Sequence, residues 1–246
     1  MLQHKKILVL LLIATVLASI PLYLAKDKPE ITVVVNEIEI RTDYGKPAGT
    51  PGAKPDKPDK PDRPSGDYKL TGYIWNENLP SVGLTLFVGA GVDLQVIFDS
   101  AEEWDGYTLK NLIFTVSEDE TATIFDELSD GSDGRNELVF ADAENFNPGV
   151  IAVCYTWYIG KEIVQFDIAF NLYYTWGDAD VDGSGVMDLQ NIATHELGHG
   201  FGLADLYQRK LSDLTMYGYA ALGETIKRDL AQGDIAGIQA LYGVAP

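Results

Sequence analysis

The sequence predicts an α/β fold in which helices pack behind a mixed β-sheet. Hydrophobic patterns along the chain follow the order strand, helix, four strands and two helices, and loops rich in Gly, Asp and Ser separate them. Residues 68–246 show no internal repeat, and their number suits one domain with a sizeable core. We therefore expect a single folded domain over 68–246.

Each element has its own local pattern. Residues 69–75 look like a first strand, and residues 93–105 place Leu94, Ile97, Phe98, Ala101 and Trp104 at the spacing of an amphipathic helix. Alternating or continuous apolar runs then predict four strands and, after them, two helices. These strands cover residues 112–116, 136–141, 150–158 and 163–171, and the helices cover residues 188–200 and 230–243.

The N-terminal part predicts export. Lys5 and Lys6 precede residues 7–24, which carry no charge, so residues 1–25 read as a signal peptide or a signal anchor. Either reading places the rest of the chain outside the cell, secreted or attached to the membrane through this segment.

Two segments separate this leader from the domain. Residues 26–42 contain a β-branched, alternating stretch at 31–40 that predicts one strand, and residues 43–67 form a linker rich in Pro, Lys and Asp. One strand cannot form a domain. Three roles stay open for it: it docks on the domain, acts as a short pro-segment that causes latency, or stays loose.

The chain is strongly acidic, with 37 acidic and 18 basic residues and a formal net charge of −19. This balance argues against a nucleic-acid partner, because phosphate binding requires the opposite field. An acidic surface is compatible with solubility, with calcium binding or with attraction of basic substrates.

The most informative string is His195-Glu-Leu-Gly-His199-Gly-Phe-Gly202-Leu-Ala-Asp205. On a helix, His195 and His199 share one face and can bind one zinc ion, while Glu196 lies beside it as the general base for a zinc-activated water. Gly202 allows the turn that ends the helix and brings Asp205 back as third ligand. The string predicts a zinc-dependent hydrolase.

These residues resemble the metzincins, and within them the matrixins. The resemblance rests on the HExxHxxGxxD string, on a methionine turn at Met216 and on the final helix with Asp234. It implies a mostly parallel, twisted sheet of about five strands, two long helices and the active-site helix, Met-turn and C-terminal helix of that family. It further implies a monomeric endopeptidase for peptide or protein substrates, in which Asp234 supports the Met-turn and an extended substrate pairs with the strand at 150–158.

Two departures from the matrixin pattern matter. Asp205 stands where matrixins have a third histidine, a substitution that resembles the snapalysin-type metzincins. Val153 and Gln165 stand where animal matrixins place histidines for a structural zinc. The resemblance therefore implies one catalytic zinc in this chain.

Two alternatives remain open from the sequence. A gluzincin-type protease would use Glu224 as its third ligand, and a surface binding module would keep an inactive or structural metal site. Separately, Asp178, Asp180 and Asp182 alternate before a glycine turn and are candidate calcium ligands. The lone Cys154 lies in an apolar run and is expected to be a buried, inert side chain.

Overall fold

A computed structural model describes residues 31–41, 67–75, 79, 83–124 and 132–244. The predicted leader at 1–25 lies outside the described residues, as does the linker at 43–67 apart from its last residue. Within the described ranges, no helix is long and apolar enough to cross a membrane.

The described residues form nine strands and four α-helices, with three short 3₁₀ turns between them. The strands are β1 (Thr32–Ile40), β2 (Leu84–Val88), β3 (Ile113–Glu118), β4 (Asn136–Ala141), β5 (Val150–Ile159), β6 (Glu162–Asn171), β7 (Trp176–Gly177), β8 (Met187–Asp188) and β9 (Tyr219–Ala220). The helices are α1 (Leu94–Asp105), α2 (Ala179–Asp182), α3 (Leu189–Gly200) and α4 (Gln232–Tyr242).

Seven strands form one sheet in the order β3-β2-β4-β6-β5-β1-β9. Strands β3, β2, β4 and β6 are parallel to one another, whereas β5 runs antiparallel to both β6 and β1. The predicted mixed α/β fold with a mostly parallel sheet is confirmed. The two strands beyond the expected five are β1, from the N-terminal segment, and the two-residue β9, which pairs with it in parallel.

Helix α1 forms where the apolar stripe predicted it. The Asp93 carboxylate caps its first turn by accepting hydrogen bonds from the Gln95 and Val96 backbone N–H groups at 2.9 and 3.2 Å. Ile97, Ala101 and Trp104 are fully buried. This face packs against α3, and the Trp104 ring N–H donates to the Thr194 carbonyl at 2.8 Å.

Helix α3 is buried on all sides because glycines let its neighbours approach closely. A Cβ at Gly198 would lie 2.3 Å from the Met216 sulfur, and one at Gly200 would lie 2.7 Å from the Phe166 ring. Neither position can hold a side chain without displacing these neighbours. The close approach holds α3 against the sheet on one side and the Met216 turn on the other.

The predicted strand at 69–75 is wrong. The β-pairing of this segment consists of two isolated bridges, from Leu70 to Leu203 and from Ile74 to Glu162. Gly72 lies at φ +91°, which breaks the extended run and prevents a continuous ladder. The first strand of the domain sheet is instead β2, which sequence reasoning missed. Cys154 is fully buried on β5, as predicted.

Candidate active site

Helix α3 places two imidazoles one turn apart. It begins after Asp188, whose carboxylate accepts a hydrogen bond from the Asn191 backbone N–H at 2.9 Å as N-cap. His195 and His199 then face the same side, with 3.1 Å between their Nε2 atoms. Both rings are fully buried.

Backbone carbonyls set the orientation of both rings. His195 Nδ1 lies 2.7 Å from the Thr215 carbonyl oxygen, and His199 Nδ1 lies 2.9 Å from that of Leu203. Because a carbonyl only accepts, each Nδ1 carries the proton and donates it. Each Nε2 of the neutral ring is therefore left with a lone pair that is free for a metal.

The chain turns sharply after α3 at Gly202. This residue has φ +103°, and a Cβ there would lie 2.5 Å from the Tyr73 carbonyl oxygen. The turn is closed by the Gly202 N–H, which donates to the His199 carbonyl at 2.9 Å. It brings Asp205 back to the histidines, as the glycine in the motif predicts.

Asp205 completes a group of three candidate ligand atoms. Its Oδ1 lies 3.3 Å from Nε2 of His195 and 3.3 Å from Nε2 of His199. Its Oδ2 accepts a hydrogen bond from the Tyr207 hydroxyl at 3.2 Å. Among the residues that the structure describes, these three side chains form the only such cluster of His, Cys, Asp or Glu.

The spacing of the three atoms matches a tetrahedral zinc site. Ligand bonds of about 2.0–2.1 Å at tetrahedral angles separate two ligand atoms by about 3.3 Å. The observed separations of 3.1, 3.3 and 3.3 Å agree with this edge length. The donor set of two imidazoles and one carboxylate is also one that zinc uses in catalytic sites.

Burial and neighbouring charges shift the pKa values of the three candidate ligands. Burial opposes the charged form of His199, yet the Asp205 and Glu196 carboxylates outweigh it and raise its pKa to about 9. Burial lowers the pKa of His195 below its ordinary value. Burial alone would raise the pKa of Asp205, but the two histidines hold it well below the usual range. The carboxylates thus favour the protonated form of His199, and the histidines favour the ionised form of Asp205.

Glu196 lies beside the cluster with both carboxylate oxygens buried. Neither oxygen has a hydrogen-bond partner within the described part of the chain. Burial is the main reason that its pKa rises to about 8. A buried carboxylate without partners is costly for folding, so its presence next to three candidate ligands indicates a chemical role.

The Met216 turn lies next to His195, whose ring nitrogen Nδ1 donates to the Thr215 carbonyl. The Asp234 carboxylate accepts hydrogen bonds from the backbone N–H groups of Thr215 at 2.8 Å, Met216 at 3.0 Å and Ala231 at 3.1 Å. The Thr215 carbonyl also accepts a hydrogen bond from His195. By holding the backbone of Thr215, Asp234 therefore helps to orient the His195 imidazole.

The candidate calcium ligands are already paired. The Arg228 guanidinium donates to Asp178 at 2.7 Å and to Asp180 at 3.0 Å, and it also contacts Asp188. Asp182 accepts from the Asp178 backbone N–H at 3.0 Å. The structure therefore gives the calcium expectation no support, because a cation of the protein itself lies among these carboxylates.

Glu224, the third ligand of the gluzincin alternative, lies in an ion pair with the buried Lys227 and outside the three-residue cluster. Sequence reasoning missed Tyr207, which binds Asp205, and Arg228, which binds the N-cap of α3. Neither residue stands at a motif position. Only the fold brings them to the site.

The chain is similar in sequence to known proteins over most of its described domain. The family model described as matrixin matches residues 73–243, more than half of the chain. Human matrix metalloproteinase-25 is 32% identical over 94 residues, which are 38% of this chain and 16% of that protein. The chain therefore spans about a sixth of the length of this relative.

Proposed function

This chain belongs to the matrixin family, and we propose that it is a zinc-dependent endopeptidase that acts on proteins or peptides. His195, His199 and Asp205 would hold one zinc ion, and Glu196 would serve as general base. The observation that carries the proposal is the convergence of three buried ligand atoms, 3.1–3.3 Å apart, beside an unpartnered buried carboxylate.

A zinc ion bound here supplies a Lewis acid that polarises the scissile carbonyl and lowers the pKa of the attacking water. The protein's own groups do the rest. Glu196 accepts the proton of the attacking water and passes it to the leaving amine, a task that suits a carboxyl whose pKa lies near neutrality. The Thr215 and Leu203 carbonyls keep both histidines in the tautomer that leaves Nε2 unprotonated.

Asp205 differs from a histidine ligand because it carries charge. The carboxylate would partly neutralise the ion, so we expect the attacking water to be less acidic than in a three-histidine site. The Tyr207 hydroxyl offsets part of this effect by withdrawing charge through Oδ2. It also orients Asp205 so that Oδ1 faces the imidazoles.

We further propose that the enzyme works outside the cell, secreted or held at its surface by the N-terminal segment, as a monomer with one zinc. The apolar run at 7–24 supports export. The acidic composition argues against a nucleic-acid partner.

The test compares the full chain with Glu196→Gln, which has nearly the same shape. Zinc per chain is measured by atomic absorption, and cleavage is measured on a quenched peptide library. We expect one zinc in both proteins and a loss of cleavage of about 10²–10⁴-fold in the variant. Equal cleavage by both would refute the role of Glu196, and a chain that binds no zinc would refute the proposed function.

A further inference from the structure

A cleft of about 390 Å³ lies beside the candidate zinc site. His195 and His199 are fully buried, whereas Asp205 is 7% exposed and lines this cleft. The Asp205 Oδ1 atom is buried and accepts no hydrogen bond within the part of the chain that the structure describes. A substrate group that approaches the three candidate ligands from this side therefore passes the residues that line the cleft.

Two distant parts of the chain line the cleft. One is the segment after the Gly202 turn, with Asp205 and Tyr207, and the other is β1. Strand β1 pairs antiparallel with β5, and its Ile38 side chain is fully buried in the main hydrophobic core. It therefore contributes to the cleft as a folded strand of the sheet.

Strand β1 brings negative charge to the cleft. Glu37 and Glu39 stand on either side of Ile38 in sequence, and both line the cleft. Glu39 is exposed and Glu37 is partly exposed. The Glu37 carboxylate accepts a hydrogen bond from the Asn147 amide at 3.5 Å, a neutral contact that leaves its charge in place.

Positive charge lies on the Asp205 side of the cleft. The Lys69 ammonium donates to the backbone carbonyl of Asp205 at 3.4 Å, and Lys69 lines the same cleft. A zinc ion bound by two neutral imidazoles and one carboxylate would add a net positive charge on this side. The cleft is therefore dipolar, with its negative charge on β1.

A peptide suits this charge distribution when it presents a carbonyl oxygen and a cation close together. The oxygen is attracted to the positive side, and an ammonium or guanidinium group is attracted to Glu37 and Glu39. An acidic side chain in that place would meet two like charges. The Asn36 amide nitrogen also lines the cleft, buried and without a hydrogen-bond partner in the described ranges, and offers a donor to a peptide carbonyl.

We propose that the enzyme selects substrates with a positive charge beside the scissile bond, and that Glu37 and Glu39 determine this specificity. The inference rests on the proposed function and names the substrate class of the same site. The charge is that of a Lys or Arg side chain or of a free N-terminal ammonium, since all three present a cation to the carboxylates. The formal net charge of −19 adds long-range attraction for such substrates.

Peptides that differ by one charge test the proposal with the full, zinc-loaded chain. One set compares Lys with norleucine at each position next to the scissile bond, and the other compares a free with an acetylated N-terminus. We expect kcat/KM to be about 10-fold higher for the charged peptide, the combined effect of two partly exposed ion pairs. Added salt should reduce this ratio, because solvent-exposed charges are screened. The set that shows the preference identifies the source of the charge.

Isosteric variants assign the preference to the two glutamates. Glu37→Gln combined with Glu39→Gln should reduce the ratio to about 1–2, chiefly through KM, because only the charge is removed. Glu118→Gln combined with Glu120→Gln is the matched control, since it removes two exposed charges at the same spacing beside β3, the opposite edge strand. This control should keep the wild-type ratio.

Charge reversal gives a readout that a structural role of the two glutamates would not produce. Glu37→Lys combined with Glu39→Lys should favour peptides with Glu over the same peptides with Gln. Zinc content and the circular dichroism spectrum should stay those of wild type, because both positions are at least partly exposed.

Binding provides a measurement that does not depend on turnover. Zinc-loaded Glu196→Gln is titrated by calorimetry with the Lys peptide and with its norleucine counterpart, both acetylated and amidated, and the free N-terminal form is measured beside them. We expect the preferred cationic form to bind about 10-fold more tightly than its neutral counterpart. Addition of the Glu37→Gln and Glu39→Gln substitutions should abolish the difference.

The outcomes separate the two claims. Cleavage that ignores charge in wild type, or a preference that survives in the Glu37→Gln, Glu39→Gln variant, would overturn the inference and leave the protease intact. No cleavage of any peptide by wild type, with zinc bound and the fold intact, would overturn the proposed function and with it the inference. A preference that is lost with the two glutamates and kept in the control supports the proposed specificity.

Discussion

The Asp234 carboxylate binds the backbone N–H of Met216 at 3.0 Å and, through the neighbouring N–H of Thr215, fixes the carbonyl that orients His195. Helix α4 and helix α3 are thereby joined across the Met216 turn by a buried carboxylate. The relationship makes Asp234 a positioning residue for the candidate zinc site, although it contacts none of the three ligands that we propose.

We expect Asp234→Asn to weaken zinc binding about 10–100-fold, the usual effect of removing a partner that orients a ligand. The amide would set its NH₂ group against at least one of three backbone N–H donors, and each unpaired donor costs about 1–3 kcal/mol. Urea denaturation and zinc competition titration measure the two effects. Unchanged zinc affinity in a folded variant would show that the Met216 turn keeps its shape without Asp234.

Asp205 is the proposed ligand that departs from the matrixin pattern and the one that substitution tests most directly. We expect Asp205→Ala to lose zinc at concentrations that saturate wild type, and Asp205→His to retain it, because both replacements leave α3 unchanged and only the second supplies a donor atom. Asp213→Ala, at an exposed aspartate on the following turn, is the control. If Asp205→Ala kept full zinc and full activity, another group would have to be the third ligand.

The sequence predicted the parts of this protein that depend on local pattern. The helices predicted at 93–105 and 188–200 and the turn predicted at Gly202 follow from side-chain chemistry within a few residues, and the structure has all three. The strand at 69–75 failed because Gly72 interrupts it, a conformation that the alternating pattern does not reveal.

Contacts between residues that are distant in the chain could not be predicted from local sequence patterns. Arg228 lies 40 residues from Asp188, and its pairing with the aspartates of α2 replaces the cation that their spacing predicted. The strand at 31–40 was predicted from its pattern. Whether it docks on the domain or stays loose could be decided only from its pairing with β5. Register and long-range charge pairing are properties of the folded chain.

Zinc affinity should rise with pH. The carboxylates around His199 raise its pKa from 6.5 to about 9 in the metal-free protein. Protonation of His199 therefore stabilises the folded protein fully below pH 6.5, and this stabilisation is lost as the pH rises through 9. Zinc requires the unprotonated ring, so its affinity should rise about tenfold per pH unit between pH 7 and 9. Competition titrations across this range measure the slope.

Glu196→Gln serves as the control for this slope, because it removes the second group whose pKa is raised, to about 8, and leaves the ligands in place. A slope that persists in the variant assigns the proton to His199. A flat profile in both proteins would contradict the charged state that we infer for the metal-free cluster.

We expect Arg228 to determine whether calcium changes the thermal stability of the protein. In wild type its guanidinium lies between Asp178, Asp180 and Asp188, so we expect millimolar calcium to leave the Tm unchanged. Arg228→Ala leaves these carboxylates without their cation and should lower the Tm, because Asp188 is buried and caps α3. Added calcium should restore part of that loss. A wild-type Tm that rises with calcium would contradict the pairing.

Alanine substitutions at Gly202 and Gly160 separate two contributions to the loss of stability. One is backbone strain at positive φ, and the other is the steric contact of the added Cβ. Both have positive φ, +103° and +65°, but a Cβ at Gly202 meets the Tyr73 carbonyl at 2.5 Å, whereas one at Gly160 meets nothing within 4 Å. Gly160→Ala should lose about 1 kcal/mol from backbone strain alone. Gly202→Ala should lose clearly more in urea denaturation and also bind zinc more weakly, because the turn positions Asp205. Equal losses, with zinc binding intact in both, would show that the chain relaxes at Gly202 without moving the ligand.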